Sequence, residues 1–241
     1  MTKQNSNRLV YFNGDFVPEN EAKISIYDSA LMFGDMVFEM TRSFNKKQFK
    51  LREHLERLFL GAKILRIPIK LSIKELEKKC LETIEKNNKS FKKDDEHRLL
   101  IEVSRGILDI YKTDTDLYKG SNIIIADFPL RWTVQNMGIL YNKGINCIIP
   151  SQRAIPSRYL DSKIKNRNRI FYLMANIEAS MFKGSDIWPI LLDDQGYISE
   201  GSGDNFFIIK NNKLITPEGR NLLRGISRDY VINTLAKKIG I

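Results

Sequence analysis

Cysteine and histidine are scarce in this chain of 241 residues, which contains only two of each. Cys80 and Cys147 cannot build a disulfide framework or a thiolate zinc site, and His54 and His97 are too few for a histidine-rich metal centre. No apolar run approaches the length of a membrane span, and the first residues lack the apolar segment of a signal peptide. The sequence therefore predicts a reduced, metal-free protein of the cytoplasm.

Acidic residues are outnumbered, since 39 lysines and arginines against 29 aspartates and glutamates give a formal net charge of +10. A basic balance favours acidic partners. The basic residues are mostly lysine, however, and they are spread along the chain without an arginine-rich tract or a nucleic-acid-binding motif. We therefore expect no nucleic-acid partner and no membrane partner. The hydrophobic fraction of 42% is ordinary for a globular protein.

The first half of the chain shows both strand and helix signals, which is an α+β pattern. Apolar residues at three- and four-residue spacing predict helices over 52–65 and 73–87. We expect the second of these helices to carry on one side Leu76, Cys80, Leu81 and Ile84. An Asn-Gly pair between two apolar runs predicts a hairpin at Asn13-Gly14. Strands are predicted over 8–12, 15–17, 37–44, 49–51, 99–103 and 123–126.

The second half begins after a segment over 128–137 that has no clear period and contains a proline, and we interpret this segment as an interdomain loop. Helices are predicted over 168–182, with an apolar stripe, and over 227–238. The stripe comprises Ile170, Leu173, Ile177 and Met181. Short strands are expected over 145–149, 187–192, 206–209 and 214–215.

Three segments of the second half carry residue types that suit chemistry. Lys163 and Lys165 precede the helix over 168–182, and each has an asparagine three residues later, Asn166 and Asn168 respectively. Glu200 opens the run Glu-Gly-Ser-Gly-Asp-Asn, and residues 223–228 read Leu-Arg-Gly-Ile-Ser-Arg before the last helix. Each segment alone is ordinary: a solvated lysine, a turn and a capped helix start. A helix start nevertheless offers free N–H groups to a phosphate.

Together, the order and spacing of these segments resemble the class IV aminotransferases, which are pyridoxal-phosphate-dependent enzymes of fold type IV. The family's pattern is Lys-x-x-Asn before a helix, Glu-Ala within it, Glu-Gly-x-x-x-Asn before an apolar strand, and Leu-x-Gly-Ile-Thr/Ser-Arg. The N-terminal half is similar to the family in FNGDFV, FGDMVFEMTR and REHLERL. The resemblance implies a small α/β domain over 1–127, an interdomain loop over 128–137, and a larger pseudo-barrel domain over 138–241 that binds the cofactor.

The resemblance also implies roles toward pyridoxal 5'-phosphate. Lys165 would form the Schiff base with the cofactor aldehyde and then move the proton during catalysis. Glu200 would face the pyridine nitrogen and keep it protonated, which makes the ring an electron sink. Leu223 would pack on the face of the ring.

The phosphate group of the cofactor would be bound by Arg57, by the same resemblance. The backbone N–H groups of Ile226 and Ser227 would complete this phosphate site. The helical spacing alone also allows Arg57 to be a surface partner of Glu53.

Four residues are candidates for contact with the substrate: Phe38, Met40, Arg98 and Arg169. Many branched-chain enzymes of the family have tyrosine at the position of Arg169 and glycine at the position of Met40. An Asn-Arg pair such as the one formed with Arg169 occurs in aminodeoxychorismate lyases. Arg98 would bind a substrate carboxylate, or it is a structural charge at a strand edge.

Within the family, the resemblance is greatest to branched-chain amino acid aminotransferases. It implies transfer of an amino group from a branched-chain amino acid to a 2-oxo acid such as 2-oxoglutarate, and it implies a homodimer. The alternatives are an aminodeoxychorismate lyase and a D-amino acid aminotransferase. Family members continue for several tens of residues beyond the last motif, so we expect the second domain to be incomplete at its C-terminus. A non-catalytic, truncated paralogue with a basic binding surface is a further alternative.

Overall fold

The computed structural model describes residues 7–112 and 120–241 of the chain. The chain forms two compact units, of which the first comprises Met1–Asn136 and Lys165–Asn168 and the second comprises Met137–Ile164 and Arg169–Ile241. The chain therefore passes from one unit to the other three times. In the predicted division of the chain, residues 165–168 lie instead in the second domain.

The first unit is built on a six-stranded antiparallel sheet with the strand order β2-β1-β6-β5-β3-β4. The hairpin between β1 and β2 turns at Asn13-Gly14, where both residues have positive φ, as the Asn-Gly pair predicts. The strands are β1 (Leu9–Phe12), β2 (Asp15–Pro18), β3 (Met36–Phe44), β4 (Lys47–Gln48), β5 (His97–Ser104) and β6 (Asn122–Pro129).

The hairpin between β3 and β4 is tighter than the sequence predicts. Asn45 and Lys46 have φ values of 50° and 64° and form a two-residue turn. The partner of β3 is therefore β4, and the prediction of a strand over 49–51 is wrong. Because β4 pairs only with Ser43 and Phe44, it leaves the N-terminal part of this edge of β3 open to another segment.

Two long helices of the first unit, α2 (Leu51–Leu65) and α3 (Ile73–Asn87), follow the short helix α1 (Ser29–Phe33) and pack against the sheet. Helix α3 begins where predicted because Ser72 and Glu75 form a capping box, in which each side chain accepts a backbone N–H of the other residue. The predicted apolar side of α3 is wrong at Leu81, which is 52% exposed. Leu81 lies off the three- and four-residue spacing of the buried positions, which are Leu76, Cys80, Thr83 and Asn87.

The segment over 128–137 is not a bare loop, contrary to the prediction. Strand β6 continues into it through Pro129, which pairs with His97 at the end of β5. Proline is tolerated at this strand end because the strand stops there. A helical turn, α4 (Arg131–Val134), follows.

The second unit contains a three-stranded sheet and a separate hairpin. In the sheet, β7 is parallel to β8, and β8 is antiparallel to β9, whereas β10 and β11 form the hairpin. The predicted last helix is a continuous helical segment with a π-helical centre over Val231–Leu235. The elements are α5 (Leu140–Lys143), β7 (Asn146–Ile148), α6 (Ile170–Ser180), β8 (Ile187–Leu192), β9 (Ile198–Gly201), β10 (Ile208–Lys210), β11 (Lys213–Ile215), α7 (Ile226–Tyr230) and α8 (Ala236–Ile239).

Helix α6 packs on this sheet through its alanines rather than through its predicted stripe. Ala175 and Ala179 are buried, and Ala175 belongs to a core cluster with Ala154 and Leu191. Small side chains allow the helix to approach the sheet closely. The stripe residues are between 40% and 76% exposed, and they are Ile170, Leu173, Ile177 and Met181.

In the described part of the chain, no helix is long and apolar enough to cross a membrane. Across residues 7–112 and 120–241, no group of three or more histidine, cysteine or acidic side chains could hold a metal ion. Both cysteines are free thiols; Cys80 is buried and Cys147 is exposed.

Candidate active site

The segment that carries the Lys-x-x-Asn motif lies along the open edge of β3. The N–H of Phe38 donates to the carbonyl of Lys165 at 2.9 Å, and Asn166 forms a β-bridge with the same strand. The side-chain amide of Asn168 donates to the carbonyl of Gly34 at 3.3 Å. Gly34 has a φ of 67°, and a Cβ at this position would collide with the Asn168 side chain. The motif thus attaches the backbone of the lysine to β3 and the side chain of Asn168 to the residue two positions before that strand.

The two lysines of this segment have different surroundings. Lys163 is exposed, and its Nζ lies 3.7 Å from a carboxylate oxygen of Asp161. Lys165 is half-buried, and its Nζ lies 4.8 Å from the centre of the Phe38 ring. The guanidinium of Arg167 lies 3.8 Å from the same ring centre. Lys165 is therefore the lysine that the fold holds against the strand.

Arg57, on α2, faces β3 rather than solvent. Its Nε and Nη2 donate to the carboxylate of Glu39 at 2.6 and 2.8 Å, and Nδ1 of His54 lies 2.7 Å from the same carboxylate. The side chain of Glu39 has no exposed surface, and that of Arg57 is 11% exposed. Glu53 pairs with Lys50 instead. The interpretation of Arg57 as a surface partner of Glu53 is therefore wrong.

The charge of Glu39 is stabilised by these two neighbours. Burial alone would raise the pKa of this carboxyl group. The hydrogen bonds from His54 and Arg57 outweigh burial, and they hold the pKa of Glu39 below its ordinary value. Of the five N–H groups of a guanidinium, the pairing with Glu39 uses two.

Met40 and Arg98, two of the predicted substrate residues, are in contact. Nη2 of Arg98 lies 3.0 Å from the sulfur of Met40, and Nη1 donates to the hydroxyl of Thr133 at 2.9 Å. The Nε of Arg98 is buried, and no acceptor for it exists in residues 7–112 or 120–241. Burial, and then the charge of Arg42, lower the pKa of Arg98. This guanidinium therefore has a donor that a further acceptor could use.

Glu200, on β9 of the second unit, is 6% exposed and is held by three donors. The hydroxyl of Tyr172, the side-chain amide of Asn205 at 3.2 Å and the N–H of Leu223 at 3.2 Å all donate to its carboxylate. Burial and the charge of Glu200 raise the pKa of Tyr172, so the phenol stays protonated and donates. Leu223, predicted to pack on a cofactor ring, meets Glu200 through its backbone.

At two positions of the motifs, steric contacts explain why the residue is glycine. A Cβ at Gly201 would collide with the side chain of Asp204, and a Cβ at Gly225 would collide with Oδ1 of Asn205. Substitution of either glycine would therefore force apart the turn that carries Glu200 and Asn205. The spacing Glu-Gly-x-x-x-Asn and the glycine of Leu-x-Gly thus belong to one packing arrangement.

The start of α7 offers donors for an anion. Gly225 is its N-cap, and no side chain caps the helix. In the described residues, the backbone N–H groups of Ile226 and Ser227 have no acceptor. Ile226 is half-buried and Ser227 is exposed. N–H groups in this position favour negatively charged ligands.

Arg169 lies beside the group around Glu200. Its guanidinium donates to the carbonyl of Ser202 and lies 4.9 Å from the ring centre of Tyr172. The predicted site residues thus fall into two sets, one in each unit. The first unit holds Phe38, Met40, Arg57, Arg98 and Lys165, and the second holds Arg169, Glu200, Leu223, Ile226 and Ser227.

Four residues that the sequence analysis did not single out support these side chains: Glu39, His54, Tyr172 and Asn205. A signal for three of them lay in the motifs. Asn205 ends Glu-Gly-x-x-x-Asn, Glu39 lies within FGDMVFEMTR, and His54 precedes Arg57 by one helical turn. Tyr172 lies in none of the motifs, and only the fold shows its contact with Glu200.

Comparison with known proteins agrees with this geometry. Residues 36–241 match the family model described as amino-transferase class IV. A Methanocaldococcus jannaschii protein provisionally named branched-chain-amino-acid aminotransferase is 38% identical over 233 residues, which are 96% of this chain and 76% of that protein.

Two crystal structures are similar to the whole of this chain. The branched-chain amino acid aminotransferase of Escherichia coli superposes with a TM-score of 0.82 and 31% identity, over 98% of this chain and 76% of that one. The T.th. branched-chain amino acid aminotransferase, complexed with N-(5'-phosphopyridoxyl)-L-glutamate, gives a TM-score of 0.81 and 30% identity, over 98% and 75%. The chain therefore has the two-domain fold of fold type IV and belongs to the class IV aminotransferases.

Proposed function

We propose that this chain transfers the amino group of a branched-chain amino acid to a 2-oxo acid such as 2-oxoglutarate, with pyridoxal 5'-phosphate as its cofactor. Amino transfer is the activity of the family. The similar proteins are branched-chain amino acid aminotransferases by name, and one of them was solved with a phosphopyridoxyl-glutamate compound.

The observation that carries the proposal is the attachment of Lys165 to β3, half-buried beside Phe38. The other functional groups also fit the cofactor chemically. A primary amine suits its aldehyde, an arginine with two backbone N–H groups suits its phosphate, and the buried carboxylate of Glu200 suits a ring N–H.

When bound, pyridoxal phosphate supplies an aldehyde that exchanges amines and a ring that withdraws electrons from the reacting carbon. Lys165 would hold the cofactor through Nζ at the aldehyde carbon, with water as the leaving group, and as a free amine it would carry the proton from the substrate's α-carbon. Glu200 would accept the ring N–H at its carboxylate, which Tyr172 and Asn205 hold in one orientation.

The remaining residues bind and orient. Arg57 would bind the phosphate, as would the N–H groups of Ile226 and Ser227, and Leu223 would pack on the ring. Charge-assisted hydrogen bonds of this kind are the strong ones, at about 1.5–3 kcal/mol each.

On the substrate side, Met40 would provide apolar surface for a branched aliphatic side chain, with the buried Phe38 on the same strand behind it, and Arg98 would provide a donor for a carboxylate. Arg169 is the residue that favours a second function, the aminodeoxychorismate lyase. It replaces the tyrosine of many branched-chain enzymes, and its guanidinium contacts the carbonyl of Ser202.

A donor panel distinguishes these functions. Protein purified with pyridoxal phosphate is supplied with 2-oxoglutarate and, in turn, L-leucine, L-isoleucine, L-valine or D-alanine, and glutamate is measured. We expect glutamate with the three branched-chain donors. Glutamate formed from D-alanine alone would identify a D-amino acid enzyme. Pyruvate released from aminodeoxychorismate, without glutamate from any amino donor, would identify the lyase.

The same proposal includes a homodimer in the cytoplasm. The exposed stripe of α6 supports self-association, because apolar side chains that share one helix face gain from being covered. Sedimentation of the protein should give a dimer, and Leu173→Glu should shift it toward a monomer. Tyr141→Glu is the matched control, since Tyr141 is 90% exposed but lies outside α6. Cell fractionation tests the location.

A further inference from the structure

The carboxylate of Glu39 joins two side chains of α2 to β3. It accepts Nε and Nη2 of Arg57 at 2.6 and 2.8 Å and lies 2.7 Å from Nδ1 of His54. His54 and Arg57 are three residues apart, so they project from the same face of the helix. All three side chains are almost fully buried, with 0% of Glu39 and 11% of each partner exposed. We name these three residues the Glu39 cluster.

This pairing fixes the direction in which Arg57 points. A free arginine side chain has many rotamers, and holding it in one of them costs conformational entropy. Glu39 contacts the edge of the guanidinium formed by Nε and Nη2. The opposite edge, which includes Nη1, must then point away from Glu39, because the group is planar and rigid.

Glu39 itself is unsuited to touch a phosphate. It is a carboxylate, and its charge would repel a dianion. A direct electrostatic effect of Glu39 would therefore weaken phosphate binding, and removing its charge would strengthen that binding. An effect through the orientation of Arg57 has the opposite sign.

We infer that Glu39 is a positioning residue for the cofactor phosphate: it holds Arg57, with His54 as the second support, in the orientation that binds this group. The inference rests on the proposed function, because it takes Arg57 as the phosphate ligand. It adds a residue whose negative charge promotes the binding of a negatively charged ligand.

The test compares two ligands that differ only in the phosphate. The full-length protein, freed of cofactor, is titrated with pyridoxal phosphate and with pyridoxal, and the absorbance of the ligand is followed. For Glu39→Gln we expect the affinity for pyridoxal phosphate to fall by at least about tenfold, the loss of one charge-assisted contact. The affinity for pyridoxal should stay unchanged. Glu53→Gln is the matched control, since Glu53 lies on the same helix and pairs with Lys50 at the surface.

Each other outcome overturns the inference. Equal losses for both ligands would mean that Glu39 only supports the fold. Tighter binding of pyridoxal phosphate would mean that direct repulsion dominates. If Glu39→Gln does not fold, as judged by circular dichroism, Glu39→Asp keeps the charge but shortens its reach. Unchanged affinity for pyridoxal phosphate in Glu39→Asp would then also overturn the inference.

Arg57→Ala separates this inference from the proposed function. It should lose affinity for pyridoxal phosphate only, and adding Glu39→Gln to it should cost little more, because Glu39 acts through Arg57. A selective loss in Arg57→Ala without one in Glu39→Gln would remove Glu39 and leave the phosphate assignment intact. An equal loss of both ligands in Arg57→Ala would remove the phosphate assignment itself.

Discussion

The side-chain amide of Asn205 donates one hydrogen bond to the carboxylate of Glu200, at 3.2 Å, and another to the carbonyl of Leu223, at 3.0 Å. The N–H of Leu223 in turn donates to the carboxylate of Glu200, so these three residues form a closed ring of hydrogen bonds. Tyr172 adds a further donor to the same carboxylate. A buried carboxylate with this many donors has a fixed orientation before any ligand binds, which is the condition for electrostatic preorganisation.

Glu200→Gln is expected to retain cofactor binding and to lose turnover by about hundredfold or more, the scale at which one preorganised electrostatic group acts. The amide has nearly the same shape, but it is neutral and cannot keep the ring nitrogen protonated. Cofactor titration and kcat with L-leucine check this. Glu218→Gln serves as the control, because the Glu218 side chain is 74% exposed. Full turnover in Glu200→Gln would exclude this carboxylate from the reaction.

Reduction with borohydride in the presence of pyridoxal phosphate should attach the cofactor permanently to Lys165. Peptide mass mapping should find the label on Lys165 in the unchanged protein and in Lys163→Ala, and no label in Lys165→Ala. The reason is that Lys165 is held beside β3, whereas Lys163 is exposed near Asp161. A label on Lys163 would mean that the motif has been aligned two residues away from its true position.

Gly225→Ala is expected to lower the free energy of unfolding by about 1–3 kcal/mol, the usual cost of overpacking. The new Cβ would collide with Oδ1 of Asn205, and Asn205 cannot yield without losing its bonds to Glu200 and Leu223. Urea unfolding measures the effect. Gly138→Ala is the control, since no atom lies within 4 Å of its added Cβ, and it should stay within about 0.5 kcal/mol. Equal stability of the two variants would contradict the packing described here.

The contribution of Glu39 to stability should depend on pH in one direction. Its pKa is lower in the folded protein than the ordinary value of 4.5, so the folded state binds the proton less readily than the unfolded state does. This contribution is complete above pH 4.5 and is lost as the pH falls through the lower, folded-state pKa. Unfolding free energies of the unchanged protein and of Glu39→Gln should therefore differ most near neutral pH and converge in acid. A difference that is independent of pH would show that Glu39 is not ionised in the fold.

The sequence predicted those features that depend on residues close together in the chain. The Asn-Gly turn and the spacing from Lys165 to Asn168 are local patterns, and the structure contains both of them. The tight turn at Asn45-Lys46 is also local. Its place between two strands was predicted, but its length was not, because a lysine at positive φ carries no strong turn signal.

Contacts between distant elements could not be predicted in this way. Tyr172 meets Glu200, and Glu39 meets Arg57, only because helices pack on particular strands. The apolar stripe of α6 correctly predicted that the segment is a helix, but it did not predict which face is buried. The small alanines on the opposite face pack against the sheet instead. Helical periodicity identifies an apolar face, but it does not identify what covers that face.

The segment with Lys165 also covers an edge of the sheet in the first unit. All six strands of that sheet precede Lys165 in the chain, so the sheet can assemble before residues 165–168 dock. Until residues 165–168 dock, the edge of β3 over Met36 to Met40 exposes backbone groups that could pair with another chain. The segment that carries the proposed reactive lysine is thus also the cover of this strand edge.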